Sequence, residues 1–93
     1  MDRKDLRIEA AAIVDINGKM WTLPPPKRHH DIIRLMRESG YDGPVSGEDQ
    51  QGFLLNNGKF CRRKPALGVA DKAGQLKDGK SIHPTLLFSE DMW

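Results

Sequence analysis

Residues 52–75 constrain the fold most strongly, because they predict a β-hairpin that leads directly into a helix. Apolar runs lie on both sides of Asn57 and Gly58, and Asn-Gly suits the tight two-residue turn of the primed type that joins paired strands. Pro65 favours a first helical turn, since its ring fixes φ and it has no amide hydrogen to leave unpaired. Gly74 is a typical helix end. This stretch therefore predicts strand, turn, strand and helix in immediate succession.

The same order of elements is predicted earlier in the chain. Residues 8–16 show the period-two alternation of a strand, and residues 17–19 have the same Asn-Gly-Lys sequence as residues 57–59. A two-residue turn would place Val14 opposite Trp21, which is a favourable pair of an aromatic and a β-branched side chain. Because Asn-Gly is the commonest hairpin signal, independent use of the same turn residues explains the repeat better than duplication of a segment does.

Three prolines at residues 24–26 lead into a predicted helix over residues 30–39, with Gly40 at its end. Apolar side chains recur in this helix at three- and four-residue steps, which gives it one face for the core. The chain has 93 residues, the size of one small domain. We therefore predict one α+β domain over residues 1–93. In it, two β-hairpins are each followed by a short helix, and an antiparallel sheet packs against the helices.

Cations crowd where both predicted helices begin. Residues 62–64 are Arg-Arg-Lys, and residues 27–30 are Lys-Arg-His-His. A helix N-terminus already carries about half a positive charge, so each added cation is unfavourable there by roughly a few tenths of a kcal/mol. A bound anion would reverse this effect, because helix amides and basic side chains would then act together. For the first helix, anion binding and a merely soluble surface are equal alternatives.

The two histidines at the start of the first helix are expected to have different roles. His29 projects onto the apolar stripe, whereas His30 lies with Arg34 and Arg37 on the polar side. Packing is the favoured role of His29, and the alternative is that the pair donates hydrogen bonds to a phosphate or ribose. A metal site is not expected, since His83 is remote and no third ligand stands at a suitable spacing.

Composition excludes several classes of protein. The formal net charge of +2 is too small for a general nucleic-acid coat. No apolar run approaches the roughly 20 residues of a membrane span, and the start MDRKDLRIE is too polar for a signal peptide. The single cysteine, Cys61, excludes an intrachain disulfide and suits a reducing cytosol. We therefore expect a cytoplasmic protein with no membrane partner and no general affinity for nucleic acid.

The sequence carries no motif of an enzyme. It has no nucleophile elbow, P-loop, dinucleotide fingerprint or metal-ligand spacing, so we expect neither catalysis nor a cofactor. The basic groups suit two kinds of binding protein. One binds a small phosphorylated molecule, and needs both helix starts and an aromatic side chain around one pocket. The other masks an acidic surface of a host protein or nucleic acid, and needs its cations on a flat outward patch.

An ordered set of short motifs resembles small phage and prophage proteins. The motifs are Arg-His-His-Asp, Gln-Gly-Phe, Asn-Gly-Lys-Phe, Arg, Ala-Gly-Gln and Ser-Glu-Asp-Met-Trp, at residues 28–31, 51–53, 57–60, 63, 73–75 and 89–93. The set is similar to the anti-Thoeris phage proteins, which act as sponges for the host immune signal glycocyclic ADP-ribose. This chain departs from them at residues 64 and 65, where Lys-Pro replaces the usual acidic residues.

The resemblance implies a phage-encoded binding protein that sequesters a phosphorylated nucleotide immune signal without cleaving it. The signal would be a cyclic ADP-ribose isomer, with cyclic oligonucleotides as possible further ligands, and the compartment would be the host cell cytoplasm. Capture of a dilute signal implies a nanomolar dissociation constant, roughly −12 kcal/mol, which requires a closed and preorganised pocket. We expect such pockets between the subunits of a homo-oligomer, a dimer or larger.

The resemblance also implies which side chains contact the ligand. Arg28 and Arg63 would hold the diphosphate, with Arg62 as a weaker contact. A histidine would bond phosphate or ribose, and a phenylalanine would stack on the base, although core packing is favoured for at least one phenylalanine. The predicted set is Arg28, His29, His30, Phe53, Phe60, Arg62 and Arg63.

Overall fold

The computed structural model describes residues 6–47 and 49–93, so the charged residues 1–5 and Glu48 lie outside the described residues. Four strands and two helices follow one another in the predicted order, which confirms the α+β class. A short 3-10 turn, Ser89–Asp91, lies near the end of the chain. The strands and helices are β1 (Ile8–Val14), β2 (Met20–Leu23), α1 (His29–Glu38), β3 (Gln51–Leu55), β4 (Phe60–Arg62) and α2 (Arg63–Lys72).

The four strands form one antiparallel sheet in the order β2-β1-β3-β4. Helix α1 packs on β1 and β2, and α2 packs mainly on β3 and β4. One apolar core contains fully buried Phe53 from the sheet and Ile32 and Met36 from α1. Helix α2 contributes Ala66 and Ala70, which are also fully buried. These small side chains allow α2 to lie close to the sheet.

The helix ends follow the signals in the sequence. At the start of α1, the backbone amide of Arg28 donates to the carboxylate of Asp31 at 2.8 Å, and this hydrogen bond lowers the pKa of Asp31. Gly40 and Gly74, with φ of 98° and 69°, follow the C-caps of α1 and α2 in the left-handed conformation. Within residues 6–47 and 49–93, neither helix has the length and apolar content needed to cross a membrane.

The predicted two-residue turn of the first hairpin is wrong, because three residues form the loop. The backbone amide of Asp15 donates to the backbone oxygen of Lys19 at 2.9 Å. Trp21 therefore lies opposite Ile13, and not opposite Val14. The additional loop residue shifts the pairing of the two strands by one position.

The carboxylate of Asp15 explains why the longer loop is stable. It accepts hydrogen bonds from the backbone amides of Asn17 and Lys19 at 2.8 and 3.0 Å, and from the indole N–H of Trp21 at 3.0 Å. The hydrogen bond from Trp21 is the main reason why the pKa of Asp15 is lowered. One side chain thus satisfies two amides of the loop and orients the tryptophan on β2.

The second hairpin has the same kind of loop. The backbone amide of Leu55 donates to Lys59 at 2.9 Å, and the Asn57 side chain accepts from the amide of Lys59 at 3.0 Å. Gly58 has a φ of 85°, whereas no residue other than glycine has a positive φ in the described ranges. A primed turn of the Asn-Gly kind requires positive φ at the asparagine as well. In both hairpins, Asn-Gly therefore marks a three-residue loop with a left-handed glycine at its end.

The forty-residue spacing of the two hairpins extends to the pairing of their first strands. Ala12 lies opposite Gly52, and the flanking pairs are Ala11 with Phe53 and Ile13 with Gln51. Forty residues after Ala11 stands Gln51, and forty residues before Phe53 stands Ile13, so one flanking pair maps onto the other. An approximate two-fold axis therefore passes between Ala12 and Gly52. The helices depart from this symmetry, since α2 follows β4 directly and a proline-rich connection precedes α1.

Gly52→Ala should reduce the free energy of unfolding by about 3 kcal/mol, at the upper end of the usual cost of overpacking. A Cβ atom there would lie 2.2 Å from the backbone oxygen of Cys61 and 2.8 Å from the ring of Phe60. Gly68→Ala is the matched control, because α2 has open space at this position. It should raise stability by up to about 1 kcal/mol. Urea unfolding followed by circular dichroism measures both changes, and an unchanged midpoint for Gly52→Ala would contradict the close contact.

Candidate ligand-binding site

A cavity of about 590 Å³ lies at the start of α2. The loop before β3 forms one wall, the junction of β4 and α2 forms a second, and the segment before the 3-10 turn forms a third. Its volume lies within the range typical of small-molecule sites. The lining residues are Ser46, Gly47, Gln51, Arg62, Arg63, Lys64, Pro65, Leu86 and Phe88.

Three cations meet at this cavity because β4 continues into α2 without a loop. Arg62 is the last residue of β4 and the N-cap of α2, and Arg63 is the first residue of the helix. No side-chain hydrogen bond caps the N-terminus of α2, and the first turn contains no acidic residue. The positive end of the helix dipole and the basic side chains therefore lie at one place, which favours a negatively charged ligand.

Arg63 is a fixed cation in the cavity wall. Its guanidinium donates to the backbone oxygen of Leu87 at 2.9 Å and to the side-chain oxygen of Gln51. The guanidinium carbon lies 4.4 Å from the centre of the Phe88 ring, a cation–π distance. Burial lowers the pKa of Arg63. A guanidinium nevertheless keeps its charge in proteins at neutral pH. The protein thus holds a half-buried positive charge against an aromatic ring.

Arg62 and Lys64 are exposed on the rim of the same cavity. Arg62 forms an ion pair with Asp49, and the two side chains are 61% and 76% exposed. Arg62 also lines a second cavity of about 550 Å³, together with Asp49, Phe60, Cys61 and Pro65. The two cavities therefore adjoin at Arg62 and Pro65.

The aromatic side chain in the main cavity is Phe88, which the sequence did not single out. Phe53 is fully buried in the core. It is therefore a packing residue, as expected for at least one of the phenylalanines. Phe60 is half-buried and lines the second cavity. Residues 85–88 are Thr-Leu-Leu-Phe, an apolar run whose signal is extended structure. The contact of this segment with α2 joins residues that are distant in the sequence, and no local sequence pattern predicts such a contact.

The cationic start of α1 lies apart from the lining of the main cavity. Arg28 is half-buried, and its Nε donates to the backbone oxygen of Trp93 at 3.0 Å, with its terminal nitrogen bonded to the same atom. The indole N–H of Trp93 donates in return to the backbone oxygen of Lys27 at 3.0 Å. Arg28 therefore anchors the last described residue on α1, and it is absent from the residues that line the cavity with Arg63.

The two histidines differ as the sequence predicts. His29 is 6% exposed, and its Nε2 lies 2.8 Å from the backbone oxygen of Gly52 while Nδ1 lies 3.3 Å from the hydroxyl of Ser89. Since a carbonyl oxygen only accepts, Nε2 carries a proton. The ring is neutral at pH 7 because burial lowers its pKa to about 4. His30 is exposed on the surface of α1, 3.6 Å from Asp31. Neither histidine lines the main cavity, and His29 has no free ring nitrogen for a ligand in this conformation.

The structure therefore brings together two of the seven predicted side chains, Arg62 and Arg63, and adds Lys64, Gln51 and Phe88 to them. In the part of the chain that the structure describes, no group of three histidine, cysteine or acidic side chains is arranged to hold a metal ion. The cations of the cavity can bind an anion, and the adjacent ring of Phe88 can contact a planar group of the same ligand.

Comparison with known proteins gives one match. The family model described as Phage T4 y16D protein matches residues 7–93, nearly the whole chain. The chain belongs to the phage T4 y16D protein family. The resemblance to small phage proteins is thereby confirmed, whereas the immune-signal sponge stays a prediction. No curated protein and no solved structure matches the chain.

This y16D-family protein should lose stability as the pH falls from about 6.5 to about 4. Burial, and then the charge of Arg63, lower the pKa of His29 to about 4 in the folded state, against 6.5 ordinarily. The unfolded chain binds the proton first, so the neutral ring stabilises the fold above pH 6.5. This contribution, about 3 kcal/mol, disappears as the pH falls through the folded pKa.

Urea unfolding at pH 7.0, 5.5 and 4.5 measures this loss. His29→Gln retains an N–H donor for Gly52 and should flatten the pH dependence over this range. The exposed His30→Gln is the control and should leave the slope unchanged. The same slope in wild type and His29→Gln would show that His29 is not the titrating group.

Proposed function

We propose that this phage protein binds a phosphorylated nucleotide immune signal and sequesters it without cleaving it. The signal would be a cyclic ADP-ribose isomer, with cyclic oligonucleotides as further ligands. One observation carries the proposal: the cavity at the start of α2 holds Arg62, Arg63 and Lys64 beside the ring of Phe88. The likeness of its ordered motifs to anti-Thoeris sponges supplies the class of ligand.

The chemistry of the cavity suits a phosphate group joined to a planar base. Arg63 has five N–H donors, and hydrogen bonds to Leu87 and Gln51 use two of its nitrogen atoms. Charge-assisted hydrogen bonds from a guanidinium to phosphate are about twice as strong as neutral ones. The guanidinium plane and the Phe88 ring together form a surface on which a base can stack.

Sequestration without cleavage fits the lining of the cavity. Its described lining residues include no histidine, carboxylate or thiol, and the exposed Ser46 hydroxyl has no histidine or carboxylate beside it in the lining to act as its base. The lining is dominated instead by donors and by apolar groups. We therefore propose binding alone, with no cofactor and no bond made or broken.

We also propose that the ligand is enclosed between subunits of a homo-oligomer. Capture of a dilute signal requires a dissociation constant near the nanomolar range, about −12 kcal/mol. A cavity with one face open to solvent leaves part of a ligand hydrated, which limits its affinity. A second subunit over the mouth would complete the enclosure in the host cell cytoplasm.

A second candidate function is the masking of an acidic surface on a host protein or nucleic acid. The observation that favours it lies at the start of α1: Lys27, which precedes the helix, and His30 and Arg34 within it are all exposed. These basic side chains lie outside the lining of the described cavities. Binding that depended on this surface, and not on Arg63, would be the signature of the masking function.

Calorimetric titration with glycocyclic ADP-ribose isomers and cyclic oligonucleotides tests the two functions. Arg63→Ala should weaken binding at least tenfold, because the loss of a charged hydrogen bond typically costs about 1.5–3 kcal/mol. Since Arg63 also holds Leu87, the exposed Lys64→Gln is the second variant and should weaken binding by about threefold without unfolding the chain. Arg34→Ala, on the outer face of α1, is the matched control.

Three results would contradict the proposed function. Binding lost in Arg34→Ala but retained in Arg63→Ala would support masking instead. Turnover of any nucleotide, detected by chromatography after the titration, would exclude pure sequestration. Absence of binding by folded protein to every nucleotide tried would exclude this class of ligand. Mass determination by light scattering, with and without the bound nucleotide, tests the homo-oligomer.

A further inference from the structure

Arg62 forms an ion pair with an acidic side chain of the protein, whereas the charge of Glu90 acts on its neighbour Arg63 without an ion pair in the described residues. The Arg62 guanidinium is hydrogen-bonded to the carboxylate of Asp49. Arg63 instead donates to the neutral oxygens of Leu87 and Gln51. Asp49 therefore places a negative charge beside a cavity whose charged lining residues are all cations.

The loop before β3 holds Asp49 in this position. The next residue, Gln50, donates from its backbone amide to Gly47 at 2.9 Å and from its side chain to Pro44 at 2.6 Å. The backbone oxygen of Gln50 accepts from the amide of Val14 at 2.8 Å, so the loop is also tied to the sheet. Asp49 thus lies on a segment that is fixed on both the loop side and the sheet side.

The ion pair of Arg62 and Asp49 lies where the two cavities adjoin. Arg62 lines both of them, and Asp49 lines the second. Both side chains are more than half exposed, so water screens their attraction and a stronger anion can replace the carboxylate. An exposed ion pair of this kind contributes little to the stability of the fold. Because it lies at the rim of the cavity, it can instead affect the binding of an anion.

We infer that Asp49 is a competing anion within the binding site, which a phosphorylated ligand must displace from Arg62. The inference rests on the proposed function and adds a residue that sets the affinity. A diphosphate carries more charge and more acceptor oxygens than a carboxylate, so it can take over the Arg62 guanidinium. A ligand with a single carboxylate gains nothing by the exchange. Asp49 therefore selects phosphorylated ligands over carboxylic acids, and it lowers the affinity for both.

Titration of the full chain with inorganic pyrophosphate, followed by calorimetry, tests this inference. Asp49→Asn removes the competing charge and keeps the size of the side chain. It should bind pyrophosphate about two to five times more tightly than Asp78→Asn, according to the usual strength of exposed ion pairs. Asp78 is exposed and lines none of the described cavities, so Asp78→Asn controls for the change of net charge.

The gain must also depend on Arg62. In an Arg62→Gln background, Asp49→Asn should change the affinity no more than Asp78→Asn does. A gain that persists without Arg62 would overturn the inference, because Asp49 would then act as a general charge and not through the ion pair. The double-mutant comparison separates these two cases without reference to the stability of the variants.

The outcomes distinguish this inference from the proposed function. If pyrophosphate binds in an Arg63-dependent way and Asp49→Asn binds no better than Asp78→Asn, the inference is wrong and the function stands. If binding appears or strengthens only in Asp49→Asn, the inference is supported. If no variant binds pyrophosphate, Asp49→Asn included, freeing Arg62 does not create an anion site, and both the inference and the function fail.

Discussion

The close approach of the chain to itself at Gly52 is the constraint on which the rest of the structure depends. The missing side chain lets β4 and the ring of Phe60 lie against β3. The backbone oxygen of the same residue accepts the hydrogen bond of His29, and the other ring nitrogen of His29 meets Ser89. One glycine thus joins the sheet, the first helix and the final segment of the chain. Any side chain there, or a charge on His29, disturbs all three together.

The cavity depends on a second contact, between α2 and the segment before the 3-10 turn. Arg63 donates to the backbone oxygen of Leu87 at 2.9 Å, and the amide of Leu87 donates to the backbone oxygen of Arg63 at 3.0 Å. These reciprocal bonds place Phe88 over the guanidinium. The residue that we propose as the main phosphate contact therefore also builds the wall against which the ligand would lie. Its orientation is set by folding, before any ligand arrives.

Local patterns in the sequence predict the elements of this fold well. Apolar periodicity, Asn-Gly pairs and glycine at helix ends are local properties, and they give the strands, the helices and the α+β class. The two-residue turns are wrong for a local reason too. In the first hairpin the carboxylate of Asp15 favours a longer loop, and in the second the side chain of Asn57 accepts from the amide of Lys59. The Asn-Gly pair alone does not distinguish a two-residue loop from a three-residue loop.

The candidate site is only partly predictable, because it is assembled from distant segments. The cations at residues 62 and 63 are visible in the sequence since they precede a helix. Phe88 comes to them from 25 residues further along the chain, through a contact that no periodicity encodes. Arg28 shows the converse: its place at a helix start is as predicted, yet Trp93 occupies its guanidinium. Charge at a helix start indicates where an acceptor will lie, and not whether that acceptor belongs to a ligand.

The direct passage from β4 into α2 has a kinetic consequence. Because no flexible residues separate the strand from the helix, the backbone of Arg62 and Arg63 is held by strand pairing on one side and by the first helical turn on the other. Under the proposed function, capture of an anion here would require no ordering of the junction between β4 and α2, so little backbone entropy would be lost in the encounter. We expect the association rate to be set by diffusion and by the attraction of the cations, and therefore to fall as ionic strength rises.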